Sequence, residues 1–280
     1  MILSSRIWLI TGVSGGLGRA LAIEAAQNGD IVFGTLRKSD QVQQFNDLVH
    51  GKTFGLELDV NDHHQISLVI THILDQFGRI DILINNAGYG LFGAIEEVSM
   101  AEARQQMETN FFGALALTQA VLPIMRNQRS GHIIQISSMA GIRANPGVGL
   151  YNASKFALEG FSEALALETR NLNIRVTIVE PGPFRTDWAG ASSIRSKKVI
   201  EDYAQTAGER INQISDIDGK QPGDPVKAAK AIIKAVNSDK PPLRLALGKP
   251  ALDGIREKLK SVEKDLSEWE SVTLDTSFDE

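Results

Sequence analysis

Short apolar runs alternate along the chain with longer segments in which apolar residues recur at helical spacing. The apolar runs are nearly continuous, as is typical of strands that are covered on both faces of a sheet. They predict strands at residues 7–10, 31–33, 53–58, 82–84, 132–136, 174–179 and 243–247. The periodic segments predict helices at residues 17–28, 41–49, 63–77, 101–126, 152–170, 198–207, 225–236 and 258–269. Because strands that alternate with helices pair in parallel through right-handed crossovers, we predict an α/β fold with a Rossmann-type, doubly wound parallel sheet.

The regular alternation weakens after the sixth predicted strand and resumes only near residue 225. Residues 183–220 are mixed and polar, and we interpret them as a lid over the substrate site. Residues 271–280 are expected to be a frayed tail. Since no internal repeat and no linker-like composition interrupts the chain, we predict one domain over residues 1–280 with a C-terminal lid and helical extension.

Composition narrows the class of protein. The chain has 280 residues, of which 42% are hydrophobic, so it can build a large core. Its net charge of -5 gives no basic field for nucleic acid, and the absence of cysteine excludes disulfides, thiolate catalysis and zinc–thiolate sites. No apolar run reaches the length of a membrane span, and the N-terminal apolar stretch, which Arg6 interrupts, is a poor signal peptide. We therefore expect a cytoplasmic protein with no membrane partner.

A glycine cluster joins the first predicted strand to the first predicted helix. Glycines allow a tight turn and let a pyrophosphate approach main-chain N–H groups, and the N-terminus of the helix favours the negative charge. The spacing is Gly-x3-Gly-x-Gly, and a purely structural glycine turn is the alternative interpretation. The strand before the cluster and the helix after it favour a dinucleotide site. The residues assigned to it are Gly12, Ser14, Gly16, Leu17 and Gly18.

The end of the second predicted strand indicates which dinucleotide binds. An NAD site usually has an acidic residue there, which bonds the ribose 2′-hydroxyl. This chain has Arg37 and Lys38 instead. A guanidinium can donate two hydrogen bonds to a 2′-phosphate, so Arg37 predicts NADP(H) as the cofactor. The alternative is that both cations are ordinary solvated surface residues.

Three polar residues predict catalysis at the same edge of the sheet. Tyr151 and Lys155 are four residues apart on a predicted helix and therefore share a face. A free tyrosine has a pKa of about 10, and a nearby ammonium together with an oxidised nicotinamide would favour the phenolate. Tyr151 can then act as the general acid or base on an alcohol or carbonyl, while Ser138, after the fifth strand, hydrogen-bonds the substrate oxygen. Each residue alone has an ordinary structural interpretation, but together with the glycine turn they indicate an active site.

These motifs resemble those of the classical short-chain dehydrogenases/reductases. The resemblance covers residues 6–188 and, more loosely, the rest of the chain. One position departs from the family pattern, since Gln135 stands where the family often has Asn. The motifs that carry the resemblance are the glycine turn, Asn85-Asn86-Ala87-Gly88, Ser137-Ser138, Tyr151-x-x-x-Lys155, and Pro181-Gly182 with Thr186.

The resemblance implies further roles. It implies that Asn110 holds a water that links Lys155 to solvent, that Lys155 also bonds the nicotinamide ribose, and that Asp59 contacts the adenine amino group. The structural alternatives are a buried Asn110 amide that caps a kink and an Asp59 that caps the following helix. The resemblance also implies a homodimer or homotetramer through the helices at 101–126 and 152–170. The remaining cofactor contacts that it implies are Val60, Asn86, Ala87, Gly88, Pro181, Gly182 and Thr186.

The segments expected around the substrate are mostly apolar. Residues 89–95, 139–150 and 183–207 supply aromatic and aliphatic side chains, with Arg143 as the charge among the candidate wall residues. Such a wall predicts a lipophilic ketone, aldehyde or alcohol as the small-molecule substrate, unless these side chains only pack the lid onto the domain. The function predicted is an NADP(H)-dependent oxidoreductase. The alternatives are a non-catalytic NADP(H)-binding sensor or scaffold and a sugar-nucleotide epimerase or dehydratase.

Two other clusters are not interpreted as sites. His63, His64 and His72 lack the spacing of zinc ligands and fall on one predicted helix, so we expect no metal. The basic run at residues 195–198 lies in the predicted lid and is interpreted as surface charge.

Overall fold

A seven-stranded parallel sheet forms the centre of the computed structural model, which describes residues 5–190 and 192–278. The strand order is β3-β2-β1-β4-β6-β7-β9, and it reverses between β1 and β4, where ligands bind in doubly wound sheets. The predicted fold class is therefore confirmed. The strands are β1 Ile7–Thr11, β2 Ile31–Leu36, β3 Thr53–Glu57, β4 Ile82–Asn85, β5 Gly90–Phe92, β6 Gly131–Ile136, β7 Ile174–Pro181, β8 Ser193–Arg195 and β9 Arg244–Leu247.

Helices cover both faces of this sheet. On β1, Trp8 and Ile10 pack toward α1 and α8, whereas Ile7 and Leu9 pack toward α3, α5 and α6. Burial on both faces explains why the strands are nearly continuous apolar runs. The helices are α1 Gly16–Gln27, α2 Val42–Asn46, α3 His63–Phe77, α4 Met100–Met107, α5 Gly113–Gln128, α6 Gly149–Glu168, α7 Glu209–Asp216, α8 Pro225–Val236, α9 Lys249–Glu268 and α10 Glu270–Leu274.

Side chains next to the helices determine where several of them begin. The Asp62 carboxylate accepts from the main-chain N–H groups of His64 and Gln65, and this caps α3. Ser99 forms a capping box with Glu102 at the start of α4. Each such cap contributes about 1 kcal/mol to stability. The Asp59 interpretation as a cap is wrong, because Asp62 takes that place.

Two predicted helices differ from the structure. The helix predicted at 41–49 is a 3-10 turn followed by α2, which ends at Asn46, because the Thr53 hydroxyl and the turn at Gly51 hold the next residues in another conformation. The helix predicted at 101–126 is interrupted by a π-helical turn at Glu108–Phe112 between α4 and α5. Hydrogen bonds from the Asn110 amide to residues outside the helix accompany this turn.

The region interpreted as a lid contains structure that the sequence did not indicate. β8 pairs in parallel with β5, so that Leu91 lies opposite Ile194. The helical piece predicted at 198–207 is a 3-10 turn at Glu201–Tyr203 and a π-helical turn at Ala204–Gly208, which lead into α7. The lid is thus tied to the rest of the chain by a small second sheet.

The C-terminal region also differs from expectation. α9 begins at Lys249 rather than at residue 258, with Pro250 in its first turn, where proline is favoured. The short helix α10 occupies part of the segment that we expected to be frayed, and residues 279–280 of that segment lie outside the described residues. In the part of the chain that the structure describes, no helix has the length and apolar character needed to cross a membrane.

Candidate active site

The glycine turn lies at the carboxyl edge of β1 and ends in α1. Gly12 and Gly16 have φ angles of 71° and 54°, which favour glycine, and a Cβ on Gly18 would collide with the Asn86 amide. None of the described side chains caps α1, and its first turn holds no acidic residue. Its first N–H groups are therefore available to an anion such as pyrophosphate. Among the other assigned residues, Ser14 is exposed and the side chain of Leu17 packs on the core.

Thr11 and Asn86 hold this turn against the end of β4. The Thr11 hydroxyl accepts from the main-chain N–H groups of Asn86 (2.9 Å) and Ala87 (3.0 Å). The Asn86 amide donates to the carbonyls of Thr11 and Gly12, both at 2.9 Å. Sequence reasoning assigned Asn86 and Ala87 but missed Thr11. The available signal was its place between a buried strand and the first glycine.

Arg37 and Lys38 follow β2 and are exposed. The main-chain N–H groups of Gly12 and Val13 donate to Thr35, both at 3.1 Å, so the end of β2 lies against the glycine turn. The positive charge of Arg37 acts to lower the pKa of Tyr89, although burial raises that pKa overall. The end of β2 therefore brings Arg37 to the side of the glycine turn that also carries Tyr89.

Asp59 and Val60 follow β3 at the same edge of the sheet. The carboxylate of Asp59 accepts from the main-chain N–H of Asn61 at 3.0 Å and is partly exposed. Val60 is buried, and a Cβ on Gly113 would lie 2.7 Å from its side chain. Asp59 therefore faces the edge where an adenine could bind, while Val60 packs into the helical layer.

Tyr151 and Lys155 come from the first turns of α6, and Ser138 follows β6. The Lys155 ammonium donates to the Ile136 carbonyl at 2.8 Å and lies 5.9 Å from the centre of the Tyr151 ring. The Ser138 hydroxyl donates to the Pro181 carbonyl at 3.4 Å, and its proximity to the Tyr151 phenol acts to lower the pKa of that phenol. The structure thus brings the predicted tyrosine, lysine and serine together.

Burial controls the protonation of this group. It raises the pKa of Tyr151 to about 12, against a smaller opposing effect of Ser138. It also lowers the pKa of Lys155 to about 8, against the opposing charge of Glu159. In the chain alone, burial penalises the phenolate more than the neighbouring residues favour it, whereas the lowered pKa expected from the sequence rests on Lys155 together with an oxidised nicotinamide. Tyr151 is therefore a protonated acid at neutral pH.

Asn110 lies in the π-helical turn and is almost completely buried. Its amide donates to the Tyr89 carbonyl (3.0 Å) and to the Ser154 hydroxyl (3.1 Å), and it accepts from the Tyr89 N–H (3.0 Å). A Cβ on Gly88 would lie 3.1 Å from the Asn110 amide oxygen and 3.7 Å from the Lys155 ammonium. Asn110 is therefore a buried amide within the irregular π-helical turn, as the structural alternative to a catalytic role proposes. It also lies near Lys155.

The remaining assigned residues lead from β7 into the lid. The Gly182 N–H donates to the Leu247 carbonyl at 2.9 Å, directly after Pro181 ends β7. A Cβ on Gly16 would lie 3.2 Å from Thr186, so the lid touches the glycine turn. This contact places Thr186 against the glycine turn.

An apolar cluster joins the lid to Tyr151. The ring centre of Trp188 lies 5.0 Å from that of Tyr151 and 5.4 Å from that of Phe92. The same cluster contains Phe92, Ala140, Val148, Tyr151, Ala189, Ile211 and Ile214. These side chains pack the lid onto the rest of the molecule around Tyr151, which is one of the two interpretations made from the sequence.

Comparison with known proteins decides the family. Residues 6–197 match the family model for short chain dehydrogenase. This chain belongs to the short-chain dehydrogenase family. The family recognised from the sequence motifs is therefore confirmed, and the chain is an oxidoreductase of that family.

This short-chain dehydrogenase has relatives that it matches over most of its length. It is 38% identical over 271 residues to oxidoreductase BOA17 of Botryotinia fuckeliana (strain B05.10), covering 96% of this chain and 98% of that protein. It is 40% identical over 258 residues to 3-ketodihydrosphingosine reductase of Bacteroides thetaiotaomicron, covering 91% and 92%. It is 34% identical over 262 residues to human retinol dehydrogenase 8, covering 87% and 82%.

Solved structures share its fold. A short-chain dehydrogenase from Streptomyces avermitilis has a TM-score of 0.93 and 41% identity, covering 98% of this chain and 100% of that chain. The structure of ElxO with NADP bound has a TM-score of 0.74 and 26% identity, covering 89% of this chain and 99% of that chain.

Two buried carboxyl groups of this short-chain dehydrogenase lie behind Lys155, and sequence reasoning missed them. Glu159 on α6 and Glu180 on β7 each have an oxygen 3.4 Å from the Arg244 guanidinium, which also bonds the exposed Glu163 at 2.9 Å. Burial and the charge of Glu159 raise the pKa of Glu180 to about 7, against the opposing charge of Arg244. The sequence did contain a signal for this cluster, since Glu180 is an acidic residue within the otherwise apolar end of β7.

Replacing Glu180 by Gln is expected to stabilise the protein increasingly as the pH rises from about 4 to about 7, and by a constant amount above that range. An unfolded glutamate has a pKa of about 4.3. Because the folded carboxyl keeps its proton up to about pH 7, the wild-type protein loses stability as the pH rises between these two values, and the amide does not. Thermal unfolding at several pH values measures the difference. Glu163→Gln is the control, and a difference between Glu180→Gln and wild type that is the same at every pH would contradict the assignment.

Candidate metal ligands form no cluster within the described ranges 5–190 and 192–278. No group of three or more acidic or histidine side chains there could hold a metal ion. His63 and His64 begin α3 and His72 lies further along it.

Proposed function

We propose that this protein is an NADP(H)-dependent oxidoreductase that interconverts a lipophilic ketone or aldehyde and the corresponding alcohol. The observation that carries the proposal is a polar group at the carboxyl edge of the sheet, in which Tyr151 and Lys155 are buried and Ser138 is half-buried. It lies beside the glycine turn, where none of the described side chains caps α1. The turn suits a dinucleotide phosphate, and the tyrosine suits proton transfer to an oxygen.

The residues at this edge fit a nicotinamide dinucleotide. Main-chain N–H groups between Gly12 and Gly18 would bind the pyrophosphate, and Arg37 would bind the 2′-phosphate. Asp59 would contact the adenine. Asn86, Ala87 and Gly88 would line the adenosine ribose, and Pro181, Gly182 and Thr186 would line the nicotinamide. A bound nicotinamide supplies a hydride for reduction of the substrate and accepts one in the reverse direction.

The chain's own residues move the proton. In reduction, the Tyr151 phenol donates its proton to the carbonyl oxygen as that oxygen gains negative charge. The Ser138 hydroxyl hydrogen-bonds the same oxygen, and the Lys155 ammonium stabilises the phenolate that remains. Asn110, near Gly88 and Lys155, would hold a water through which the proton is replaced. Oxidation of the alcohol uses the same groups in reverse.

An apolar approach to Tyr151 supports a lipophilic substrate. Trp188, Phe92 and Val148 surround the phenol and offer few polar groups to fix a sugar or a polyanion. Two relatives have names that refer to largely hydrocarbon compounds, 3-ketodihydrosphingosine and retinol. Both features support a substrate of that general class, without identifying the compound.

Turnover of NADPH with matched carbonyl compounds tests the proposal. We expect a hydrophobic ketone to have a higher kcat/KM than a phosphorylated or polyhydroxylated ketone of similar size, because the wall is apolar. A polar substrate that is preferred by ten-fold or more, about 1.4 kcal/mol, would overturn the substrate class. Binding of NADPH without turnover of any carbonyl would instead support a non-catalytic sensor.

Exposed side chains on the helical layer support a homodimer or homotetramer. Phe112 precedes α5, and Phe156 and Leu167 lie on α6, with exposed fractions of 44%, 43% and 61%. Contact between copies would remove these side chains from water, which stabilises an assembly. A cytoplasmic location remains part of the proposal.

A further inference from the structure

The helix α9 leaves the body of the protein after its first turns. Ala251 and Gly254 are buried, and a Cβ on Gly254 would lie 3.0 Å from Met139. In contrast, every described residue from Leu259 onward is exposed. A helix of this length without packing is only marginally stable in water, so its projecting half lacks the contacts that normally support a helix.

An apolar seam runs along this helix at the spacing of a coiled coil. Successive members are three, four, three, four and three residues apart. They fill the a and d positions of a heptad repeat, which face a partner helix in such structures. Four of them are strongly exposed, with Leu252 at 42%, Leu259 at 59%, Leu266 at 59% and Trp269 at 63%. We call the following residues the α9 seam: Leu252, Ile255, Leu259, Val262, Leu266 and Trp269.

Charges beside the α9 seam are segregated by sign. Arg256 and Lys258 occupy the flanking e and g positions of the first heptad, and Glu263 and Asp265 occupy those of the second. Among the described residues, none of these four side chains forms an ion pair. Residues at e and g positions pair across a coiled coil and determine the orientation of its helices.

We propose that the α9 seam binds the α9 seam of a second copy of this chain in an antiparallel, two-fold symmetric pair. In that arrangement Arg256 faces Glu263 of the partner subunit and Lys258 faces Asp265 of the partner subunit. Two-fold symmetry repeats both attractive pairs. A parallel pair would keep one attraction, between Lys258 and Glu263 of the partner subunit, but would also bring Asp265 against Glu270 of the partner subunit, which is repulsive.

The same register aligns the apolar layers. Leu252 packs on Trp269 of the partner subunit, Ile255 on Leu266 of the partner subunit, and Leu259 on Val262 of the partner subunit. Every seam residue thereby gains an apolar partner, and the charged pairs lie on either side of the seam. The charge balance also argues against an anionic membrane surface as the occupant, because residues 249–275 contain five basic and seven acidic side chains.

Charge reversal tests the pairing on the full-length protein. Arg256→Glu with Lys258→Glu makes both flanks of the seam acidic, and Glu263→Lys with Asp265→Lys makes both flanks basic. We expect each double variant to have half the particle mass of the wild type by light scattering, and an equimolar mixture of the two to regain the wild-type mass. Lys260→Glu with Lys264→Glu changes the net charge as much as the first variant does but acts on the outer face, and it should keep the wild-type mass.

Three results would overturn the proposal. They are a wild-type mass that equals that of the double variants, a mixture that does not regain the higher mass, and a control variant that dissociates as they do. Binding of Leu259→Ser and wild-type protein to anionic lipid vesicles is compared in parallel. Loss of vesicle binding in the variant without a change in particle mass would assign the seam to a membrane instead.

Introduced cysteines report the orientation, because the chain contains no cysteine of its own. Ile255→Cys and Leu266→Cys are prepared as separate variants and oxidised alone and after mixing. An antiparallel pair predicts a disulfide only in the mixture, since two copies of residue 255 lie roughly 16 Å apart along the helix axis, beyond the reach of a disulfide. Disulfides within either variant alone indicate a parallel pair, and the absence of any disulfide indicates no pair; both results contradict the proposal.

Discussion

Replacing Tyr151 by Phe is expected to lower kcat by about 10²- to 10⁴-fold and to leave the affinity for NADPH nearly unchanged. The substitution removes the phenol hydroxyl, which carries the transferable proton, and keeps the ring that packs on Trp188. Stopped-flow or steady-state turnover gives the rate, and fluorescence titration with NADPH gives the affinity. Lys155→Ala should lower both, because it removes a charge from the phenolate and a donor from the cofactor side.

Tyr203→Phe is the matched control for this experiment. It removes a hydroxyl that bonds Glu96 on the exposed side of the lid, so it should leave turnover close to that of the wild type. Retention of more than about a tenth of the wild-type rate by Tyr151→Phe would show that another group supplies the proton, since that loss is well below the usual effect.

The second large effect concerns the choice of cofactor. Arg37→Asp is expected to lower kcat/KM with NADPH by about 10- to 100-fold, because a charge-assisted hydrogen bond contributes about 1.5–3 kcal/mol. The new carboxylate also repels a 2′-phosphate and can accept from a ribose 2′-hydroxyl, so the preference should change to NADH. The measurement is kcat/KM with each cofactor at one fixed carbonyl concentration.

Lys240→Asp provides the same change of charge at a different place. Lys240 is exposed in the segment that precedes β9, at the opposite edge of the sheet from the glycine turn. Lys240→Asp should leave the ratio of kcat/KM with NADPH to kcat/KM with NADH unchanged. Equal kcat/KM with NADH and NADPH in the wild-type protein would disprove the role given to Arg37.

Local sequence signals predicted most of the fold. The apolar runs located all seven strands of the large sheet, because burial on both faces leaves an unbroken pattern. They could not reveal β5 and β8, since three-residue strands have no periodicity of their own and form only because two distant segments meet. The π-helical turn around Asn110 escaped for a similar reason, because its hydrogen bonds connect to Tyr89 and Ser154 elsewhere in the chain.

The residues of the candidate site likewise fall into those that sequence motifs predicted and those that only the folded chain revealed. Motifs located Tyr151, Lys155 and Ser138, because strand and helix ends fix where such residues converge. The cluster of Glu159, Glu180 and Arg244 was missed, since it depends on β9 pairing with β7 across a gap in sequence that no local pattern spans. The raised pKa of Tyr151 in the chain alone could not be predicted for a related reason, because it depends on how deeply the folded chain buries the phenol.

The pairing of β8 with β5 limits how the cover over Tyr151 can move. The end of this cover is β8, which main-chain hydrogen bonds join to β5, just after Gly88. The start of the cover is Gly182, whose N–H donates to β9. What lies between is a short loop anchored at both ends, with Trp188 on its inner side. We expect Tyr151 to be uncovered by local rearrangement of this loop, a motion of nanoseconds to microseconds, rather than by rotation of a domain. Opening would then be a rapid equilibrium that precedes each turnover.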